Sequence, residues 1–122
     1  MRVLVVDDDE GVRLTLKHVL TARGYKVSLA LNGLEALEQA QSFAPDVVLT
    51  DMLMPKFDGI ETIQHLKKRH PDLTIIAMSG GARRGASDIL SEAIAAGADH
   101  CVAKPFNLAH LIALIAGSTE NE

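Results

Sequence analysis

The sequence predicts an α/β fold in which a doubly wound, five-stranded parallel sheet is covered by helices. Short runs rich in Val, Ile and Leu alternate five times with longer segments of helical period, without a low-complexity interruption. Asp, Gly, Asn or Pro follows each apolar run and marks its end. The chain has 122 residues, of which 48% are hydrophobic, which suffices for one sizeable core. We therefore expect one (βα)5 domain over residues 1–122.

The apolar runs indicate the strands and their order. The predicted strands are Arg2–Val6, Lys26–Ala30, Asp46–Thr50, Leu73–Met78 and His100–Ala103. The first, third and fourth are unbroken apolar runs, which is typical of strands with a neighbour on each side. The second alternates with polar residues and the fifth is short and mixed, so these two are the expected edges. This pattern fits the flavodoxin-like order 2-1-3-4-5, whose crevice lies beyond the carboxyl ends of strands one and three.

The segments between the strands have the period of amphipathic helices. Glu10–Arg23 and Gly59–Arg69 each place their apolar residues on one face, as helices that cover a sheet do. The other predicted helices are Gly33–Ser42, Ser87–Ala96 and Leu108–Ala116. Residues typical of helix ends follow four of the five helices, namely Gly24, Pro45, Pro71 and Gly97.

Composition excludes several classes of protein. Cys101 is the single cysteine, so an intramolecular disulfide is impossible, and the N-terminus lacks the basic and apolar regions of a secretory signal. A reducing cytoplasm is therefore the expected location. No apolar run approaches the ~20 residues that a membrane-spanning helix needs. With 16 acidic and 12 basic residues, the chain also lacks the clustered positive charge of a protein that binds nucleic acid directly.

Charged and polar residues follow the predicted strands at one edge of the sheet. They are Asp7-Asp8-Asp9 after the first strand, Asp51 after the third, Ser79-Gly80-Gly81 after the fourth and Lys104-Pro105 after the fifth. Each group alone has an ordinary explanation, since Asp9 favours a helix N-terminus, Ser79 can cap a helix and Lys104 can be solvated. Together, however, carboxylates about 5 Å apart on adjacent strands repel by roughly 3 kcal/mol per pair at a dielectric constant near 20. A bound proton or a hard divalent cation such as Mg²⁺ would offset this repulsion.

The acidic turn also indicates the chemistry. Flavin- and dinucleotide-binding domains carry a phosphate cradle at this turn, and three aspartates would repel a phosphate. A metal ion, a lysine and a hydroxyl donor are instead what phosphoryl transfer to a carboxylate nucleophile requires.

These residues resemble the receiver domain of bacterial two-component response regulators, the CheY-like superfamily. The resemblance covers essentially the whole chain. The segments that carry it are Val5-Val6-Asp7-Asp8, Asp51-Met52-Leu53-Met54-Pro55 with Asp58-Gly59, Ser79-Gly80 and Ala103-Lys104-Pro105-Phe106. It implies that Asp51 accepts a phosphoryl group from the phosphohistidine of a sensor histidine kinase or a histidine phosphotransfer protein in a phosphorelay.

The resemblance also implies roles for the surrounding residues. Mg²⁺ would be held by Asp7, Asp8, Asp51 and the backbone carbonyl of Leu53. Ser79 would donate a hydrogen bond to the phosphoryl oxygens, and Lys104 would pair with them, presented by a cis peptide bond to Pro105. The small Gly80 would leave access to the aspartyl phosphate.

The sequence departs from the family at Cys101, where receivers usually carry an aromatic residue that moves together with the hydroxyl at the position of Ser79. A thiol cannot fill the volume of a ring, so the switch would act through Ser79 and Cys101 in another way. His100 is one candidate substitute, and a redox role for Cys101 is another hypothesis.

A second departure is the length of the loop after Ser79, since Lys104 follows Ser79 by 25 positions, which is more than the resemblance to the family leads us to expect. This loop contains Arg83 and Arg84, which are either solvated or able to contact the phosphoryl group or an acidic partner.

No charged residue occurs from Pro105 to Thr119. The core-facing stripe of this helix is formed by Leu108, Leu111, Ile112 and Ile115. The rest of its surface is expected to be covered by small or apolar residues such as Ala109, Ala113, Leu114 and Ala116. This predicts a contact face made of helix four, strand five and helix five, used for a homodimer, a kinase or an effector. Alternatively, a neighbouring segment of a longer chain would cover this face in place of a partner protein.

We therefore expect a stand-alone phosphorylation switch whose output is protein–protein contact, with self-promoted phosphoryl transfer and hydrolysis but no enzyme activity in the narrow sense. One alternative is a pseudo-receiver, an interaction module that never carries phosphate. Another is a Mg²⁺-dependent phosphatase or phosphotransferase with an aspartyl nucleophile. Such enzymes commonly use an acid two residues after the nucleophile, where this chain has Leu53, which cannot transfer a proton.

Overall fold

The computed structural model describes residues 1–52, 59–80, 86–104 and 107–120. The strands are β1 (Arg2–Val6), β2 (Lys26–Ala30), β3 (Val47–Asp51), β4 (Thr74–Gly80) and β5 (His100–Lys104). The helices are α1 (Glu10–Ala22), α2 (Gly33–Phe43), α3 (Gly59–Arg69), α4 (Ala86–Ala96) and α5 (Leu108–Glu120). All neighbouring strands are parallel and lie in the order β2-β1-β3-β4-β5. The predicted fold class, strand order and edge strands are confirmed.

Three strands extend further toward their carboxyl ends than the sequence pattern predicts. β3 runs through Asp51 rather than ending at Thr50, because Asp51 still pairs with Met78 of β4. β4 and β5 likewise continue together to the pair Gly80 and Lys104. Polar side chains end an apolar run in the sequence, but they do not interrupt the backbone ladder. At the other end of β3, Asp46 lies before the strand, where its backbone N–H donates to the carbonyl of Arg2 at 2.8 Å.

Alternate residues of the strands build a core on each face of the sheet. One core packs strand residues such as Val5, Leu49 and Ile76 against residues of α1 and α5 such as Leu16 and Ile115. The other core packs the alternate strand residues, Leu4, Val6, Val48 and Ile75 among them, against α2, α3 and α4. Each fully buried Leu or Ile contributes about 1.5–3 kcal/mol through removal of apolar surface from water. The two cores fix the strands rigidly, so the carboxyl ends of β1 and β3 have defined positions.

Two glycines permit the turns at the predicted ends of α1 and α4. Gly24 has a φ angle of +91° and Gly97 one of +129°. Residues that carry a Cβ atom rarely adopt these backbone conformations. The turn at Gly97 is also crowded, because a Cβ atom there would lie 2.9 Å from Cγ of Lys67. Lys67 is itself held, since its Nζ lies 2.9 Å from Asp99 Oδ2 and donates to the carbonyl of Leu73 at 2.6 Å. No helix in the described part of the chain is long and apolar enough to cross a membrane.

Candidate functional site at the carboxyl ends of the strands

Three aspartates meet beyond β1 and β3. Val6, the last residue of β1, pairs with Thr50, so the next residues, Asp7 and Asp51, are neighbours at the edge of the sheet. Asp8 follows Asp7, and one carboxylate oxygen of each of the three residues lies within 4.8 Å of the others. The structure thus brings together the three carboxylates that the sequence placed at this edge.

The three carboxylates differ in their exposure to water. Asp7 is fully buried, Asp51 is 7% exposed, and Asp8 is exposed. At 4.8 Å or less, each ionised pair repels by about 3.5 kcal/mol at a dielectric constant of 20 and by about 0.9 kcal/mol in bulk water. A cation that replaces this repulsion with attraction would stabilise the cluster. Carboxylate oxygens are the ligands that Mg²⁺ prefers, so the donor set fits that ion.

Asp7 is fixed by hydrogen bonds to its backbone and side chain. Its N–H donates to the carbonyl of Ala30 at 3.1 Å, which continues the β1–β2 ladder beyond the strand. Its Oδ1 accepts from the N–H of Asp9 at 2.9 Å, and its carbonyl accepts from Nη1 of Arg13 at 2.7 Å. The turn between β1 and α1 is therefore held in one conformation, which fixes the backbone position of Asp8.

Asp9, the third residue of the acidic run, has a different role. Its Oδ1 accepts from the N–H groups of Gly11 at 2.8 Å and Val12 at 3.3 Å, which makes it the N-cap of α1. For this residue the ordinary structural explanation is correct. The run of three aspartates therefore combines two residues of the acid cluster with one residue that begins a helix.

Asp51 rests on apolar packing. Met52 is 5% exposed and Met78 is fully buried, and the N–H of Met52 donates to the carbonyl of Met78 at 2.9 Å. Thr50 is buried and its hydroxyl donates to the carbonyl of Asp51 at 3.1 Å. The thioethers do not compete for a hard ion, so Met52 and Met78 act as packing beside the acid cluster.

The backbones of β4 and β5 bring the other predicted residues to the same edge. Ser79 pairs with Ala103 and Gly80 with Lys104, one and two residues beyond the level at which Asp51 pairs with Met78. The described part of the structure includes the backbones of Ser79 and Lys104 but not their side chains. The predicted site residues that lie outside the described residues are Leu53, Arg83, Arg84 and Pro105.

Comparison with known proteins identifies the family. A family model of the response regulator receiver domain matches residues 3–116. The chain belongs to the response regulator receiver domain family. The resemblance found in the sequence is confirmed.

Similar response regulators and receiver structures support the assignment. The chain is 42% identical over 116 residues to the response regulator MprA of Mycobacterium avium, covering 93% of this chain and 48% of that protein. The MprA of Mycobacterium leprae is 42% identical over 118 residues, 94% of this chain and 49% of that protein. The chain thus spans about half the length of these curated relatives.

Solved receiver domains have the same fold over nearly the whole chain. A receiver domain protein from Clostridium thermocellum matches with a TM-score of 0.90 and 29% identity, covering 98% of this chain and 94% of that one. The receiver domain of the Francisella response regulator 1452 matches with a TM-score of 0.87 and 28% identity, covering 98% and 97%. The receiver fold of this chain is therefore shown by its own topology and by these neighbours.

In this receiver domain, Cys101 lies in edge strand β5 and is half-buried. It packs against the core formed with α2, α3 and α4, and burial raises the pKa of its thiol above the ordinary value of 9.0. A raised pKa keeps the thiol protonated near neutral pH, where thiolate chemistry is slow. The structure thus favours a packing role for this thiol over redox sensing.

The histidines of the receiver domain are dispersed. His100 is exposed at the start of β5, four residues before Lys104, which corresponds to about 13 Å of strand. Three other histidines are exposed and His70 is half-buried. No histidine belongs to a potential metal-binding group in the described residues. The histidines therefore lie at separate, mostly exposed positions of the domain.

Sequence reasoning overlooked Arg13. Its guanidinium contacts the turn that carries Asp7, although it lies in the middle of an amphipathic helix pattern and has no motif of its own. The signal available in the sequence was its spacing of four residues from the N-cap Asp9, because helical side chains point back toward the preceding turn.

Proposed function

We propose that this receiver domain is a phosphorylation-activated signalling switch in which Asp51 accepts a phosphoryl group from the phosphohistidine of a histidine kinase or phosphotransfer protein. The observation that carries the proposal is the position of Asp51 at the end of a buried central strand, with oxygens of Asp7 and Asp8 within 4.8 Å. Membership of the receiver family supports the coarser part, a domain of two-component signalling.

The chemistry follows from the acid cluster. An oxygen of Asp51 attacks phosphorus, the new oxygen–phosphorus bond forms, and the phosphorus–nitrogen bond to the donor imidazole breaks. The electron pair of that bond stays on the imidazole nitrogen, which then takes a proton from water. Mg²⁺ held by Asp7, Asp8, Asp51 and the Leu53 carbonyl would supply positive charge that offsets the charge on the phosphoryl oxygens.

We assign three further residues to phosphoryl binding. Ser79 donates a hydrogen bond, Lys104 forms an ion pair and Gly80 leaves room for the group. The register that brings the backbones of β4 and β5 to the edge near Asp51 supports these roles. Pro105 would present Lys104, and Ser79 with Cys101 would transmit the change in charge. A similar receiver domain, DrrB, is described as BeF3 activated, at 28% identity and a TM-score of 0.85. Beryllofluoride is therefore a suitable probe of this site.

For output, we propose the face formed by α4, β5 and α5. Within α5, Leu111 and Ile115 are buried, while Ala109 and Ala113 are exposed and uncharged. On α4, Ile94 is 50% exposed. Apolar and small exposed residues support a contact surface for a second copy, a kinase or an effector. Leu114, expected to help cover the solvent side, instead packs partly against the core on the α1 and α5 face, so this surface is less apolar than predicted.

The decisive test is the intact mass after incubation with acetyl phosphate, with Mg²⁺ or with EDTA. We expect a gain of one phosphoryl group that needs Mg²⁺ and is absent in Asp51→Asn. Asp8→Asn should abolish most of the gain in mass, and the little that remains should no longer depend on Mg²⁺. Asp9→Asn is the matched control, because it makes the same substitution at the next residue and asparagine caps a helix as well as aspartate does.

Failure of the chemistry and failure of the donor can be separated. If acetyl phosphate gives no gain, nuclear magnetic resonance with beryllofluoride and Mg²⁺ tests the site without the transfer reaction. Shifts that include the residues at the carboxyl ends of the strands would support the phosphoacceptor site and would indicate that it takes its phosphoryl group only from a protein donor. The absence of both signals would refute the proposed switch and favour an interaction module that never carries phosphate.

The output proposal has its own measurement. The molar mass in solution is compared for the free and the beryllofluoride-bound protein at high concentration. A mass that stays at one copy in both states would exclude the homodimer, and Ile94→Glu serves as the variant that disrupts the face.

A further inference from the structure

Arg13 links helix α1 to the acid cluster. Its Nη1 donates to the backbone carbonyl of Asp7 at 2.7 Å, and its side chain is half-buried. Its backbone N–H donates to the carbonyl of Asp9 at 3.1 Å, so the residue lies one turn after the N-cap. Helical side chains lean toward the N-terminus, which explains how the guanidinium reaches back to the turn.

The contact places a permanent positive charge at the turn that carries Asp7 and Asp8. The carbonyl that Arg13 binds belongs to Asp7, whose own carboxylate is fully buried, and the peptide bond that follows leads to Asp8. The guanidinium is thus bound to the backbone of a residue whose carboxylate belongs to the cluster. Arginine is weakly hydrated and always charged, so it keeps this charge in a half-buried position.

A hydrogen bond to the Asp7 carbonyl needs no charge, since a neutral donor would satisfy the same oxygen. What a guanidinium adds is attraction to carboxylates that repel one another within 4.8 Å. The turn must remain assembled before a metal ion arrives, and it already has the buried Asp7 at its centre. The position and charge of Arg13 meet that requirement.

We propose that Arg13 is a charge-balancing positioning residue that stabilises the acid cluster in the absence of metal and weakens its affinity for Mg²⁺. The inference rests on the metal site of the proposed function and deepens it. The positive charge of Arg13 attracts the carboxylates, and for the same reason it repels a divalent cation bound between them. Arg13 therefore sets how much metal is needed to load the site.

The first experiment measures the dissociation constant of Mg²⁺ alone by calorimetry for the wild type, Arg13→Gln and Arg13→Lys. Loss of one positive charge near a divalent ion in a largely aqueous setting should tighten binding roughly three- to tenfold at low ionic strength. The gain should shrink in high salt. Arg13→Lys keeps the charge and one donor, so its affinity should stay within about twofold of the wild type.

A merely structural role predicts the opposite result. If Arg13 only held the turn, Arg13→Gln would loosen it and weaken Mg²⁺ binding. Weaker or unchanged binding in Arg13→Gln, or equal tightening in Arg13→Lys, would overturn the proposal.

The second experiment needs no metal. Denaturation midpoints in EDTA are measured for Arg13→Gln, Asp8→Asn and the double variant. If Arg13 balances the carboxylates, its replacement should lower the midpoint less in the Asp8→Asn background, where one negative charge is already absent. Equal losses in both backgrounds would overturn the proposal. If the wild type binds no Mg²⁺, the metal site of the proposed function fails, and this cycle still decides the role of Arg13.

Discussion

Replacing Asp8 with asparagine should make the metal-free protein more stable. The substitution preserves the size of the side chain and removes two of the three repulsive pairs in the acid cluster, those with Asp7 and Asp51. At 4.8 Å each pair costs about 0.9 kcal/mol in bulk water and about 3.5 kcal/mol at a dielectric constant of 20. Asp8 is exposed, so the lower value applies to its pairs, and screening reduces it further.

The expected gain in the free energy of unfolding is therefore about 1–2 kcal/mol at low ionic strength. For a chain of 122 residues, this corresponds to a rise of roughly 4–8 °C in Tm. With Mg²⁺ at a free concentration c the order should reverse, because the ion stabilises the wild type by RT ln(1 + c/Kd) while Asp8→Asn has lost a ligand and binds the ion more weakly.

The assay is thermal and urea denaturation in EDTA and in saturating Mg²⁺, each at low and high salt. Asp9→Asn is the control, because Asp9 lies in the same acidic run but caps α1. It should change stability little in either condition. The reasoning is refuted if Asp8→Asn is no more stable than the wild type in EDTA, or if Asp9→Asn gains as much.

Four further substitutions test particular contacts. Gly97→Ala should lower the free energy of unfolding by about 1–3 kcal/mol, because the left-handed backbone disfavours a side chain and the new Cβ would lie 2.9 Å from Cγ of the tethered Lys67. Gly24→Ala, where a Cβ meets nothing within 4 Å, should cost less, and equal urea midpoints for the two variants would contradict the steric part. Asp9→Ala removes the N-cap of α1 and should cost about 1 kcal/mol by the same measurement, with a smaller effect for asparagine. Burial raises the pKa of the Cys101 thiol, so its contribution to stability is fully present below about pH 9 and is lost as the pH rises through the folded-state pKa. The wild type should therefore lose stability relative to Cys101→Ala above about pH 9, and a difference in midpoints that does not change with pH would exclude this coupling.

The fold could be predicted because its main signals are local. Parallel strands with helices on both faces are apolar throughout, and Val3 to Val6 or Ile75 to Met78 show this without reference to any other residue. The more polar runs of β2 and β5 identify the edges for the same reason. Strand ends were predicted less accurately, since Asp51, Gly80 and Lys104 belong to the ladder only through hydrogen bonds to neighbouring strands.

The acid cluster was also within reach of the sequence. Asp7, Asp8 and Asp51 follow apolar runs directly, and the carboxyl ends of parallel strands share one edge of the sheet. The sequence alone therefore determined the fold class, the order of the strands and the family, and it placed the acidic residues that follow β1 and β3 at one edge of the sheet.

Only the tertiary structure decided how neighbouring residues divide these roles. It separated Asp9, which caps a helix, from Asp7 and Asp8, and it brought Arg13 of α1 to the carbonyl of Asp7. It also placed the half-buried thiol of Cys101 against the core formed with α2, α3 and α4, where burial raises its pKa. Hydrophobic periodicity reports which face of an element is buried, but hydrogen bonds and charge contacts depend on distances between elements that are far apart in the sequence or separated by a turn.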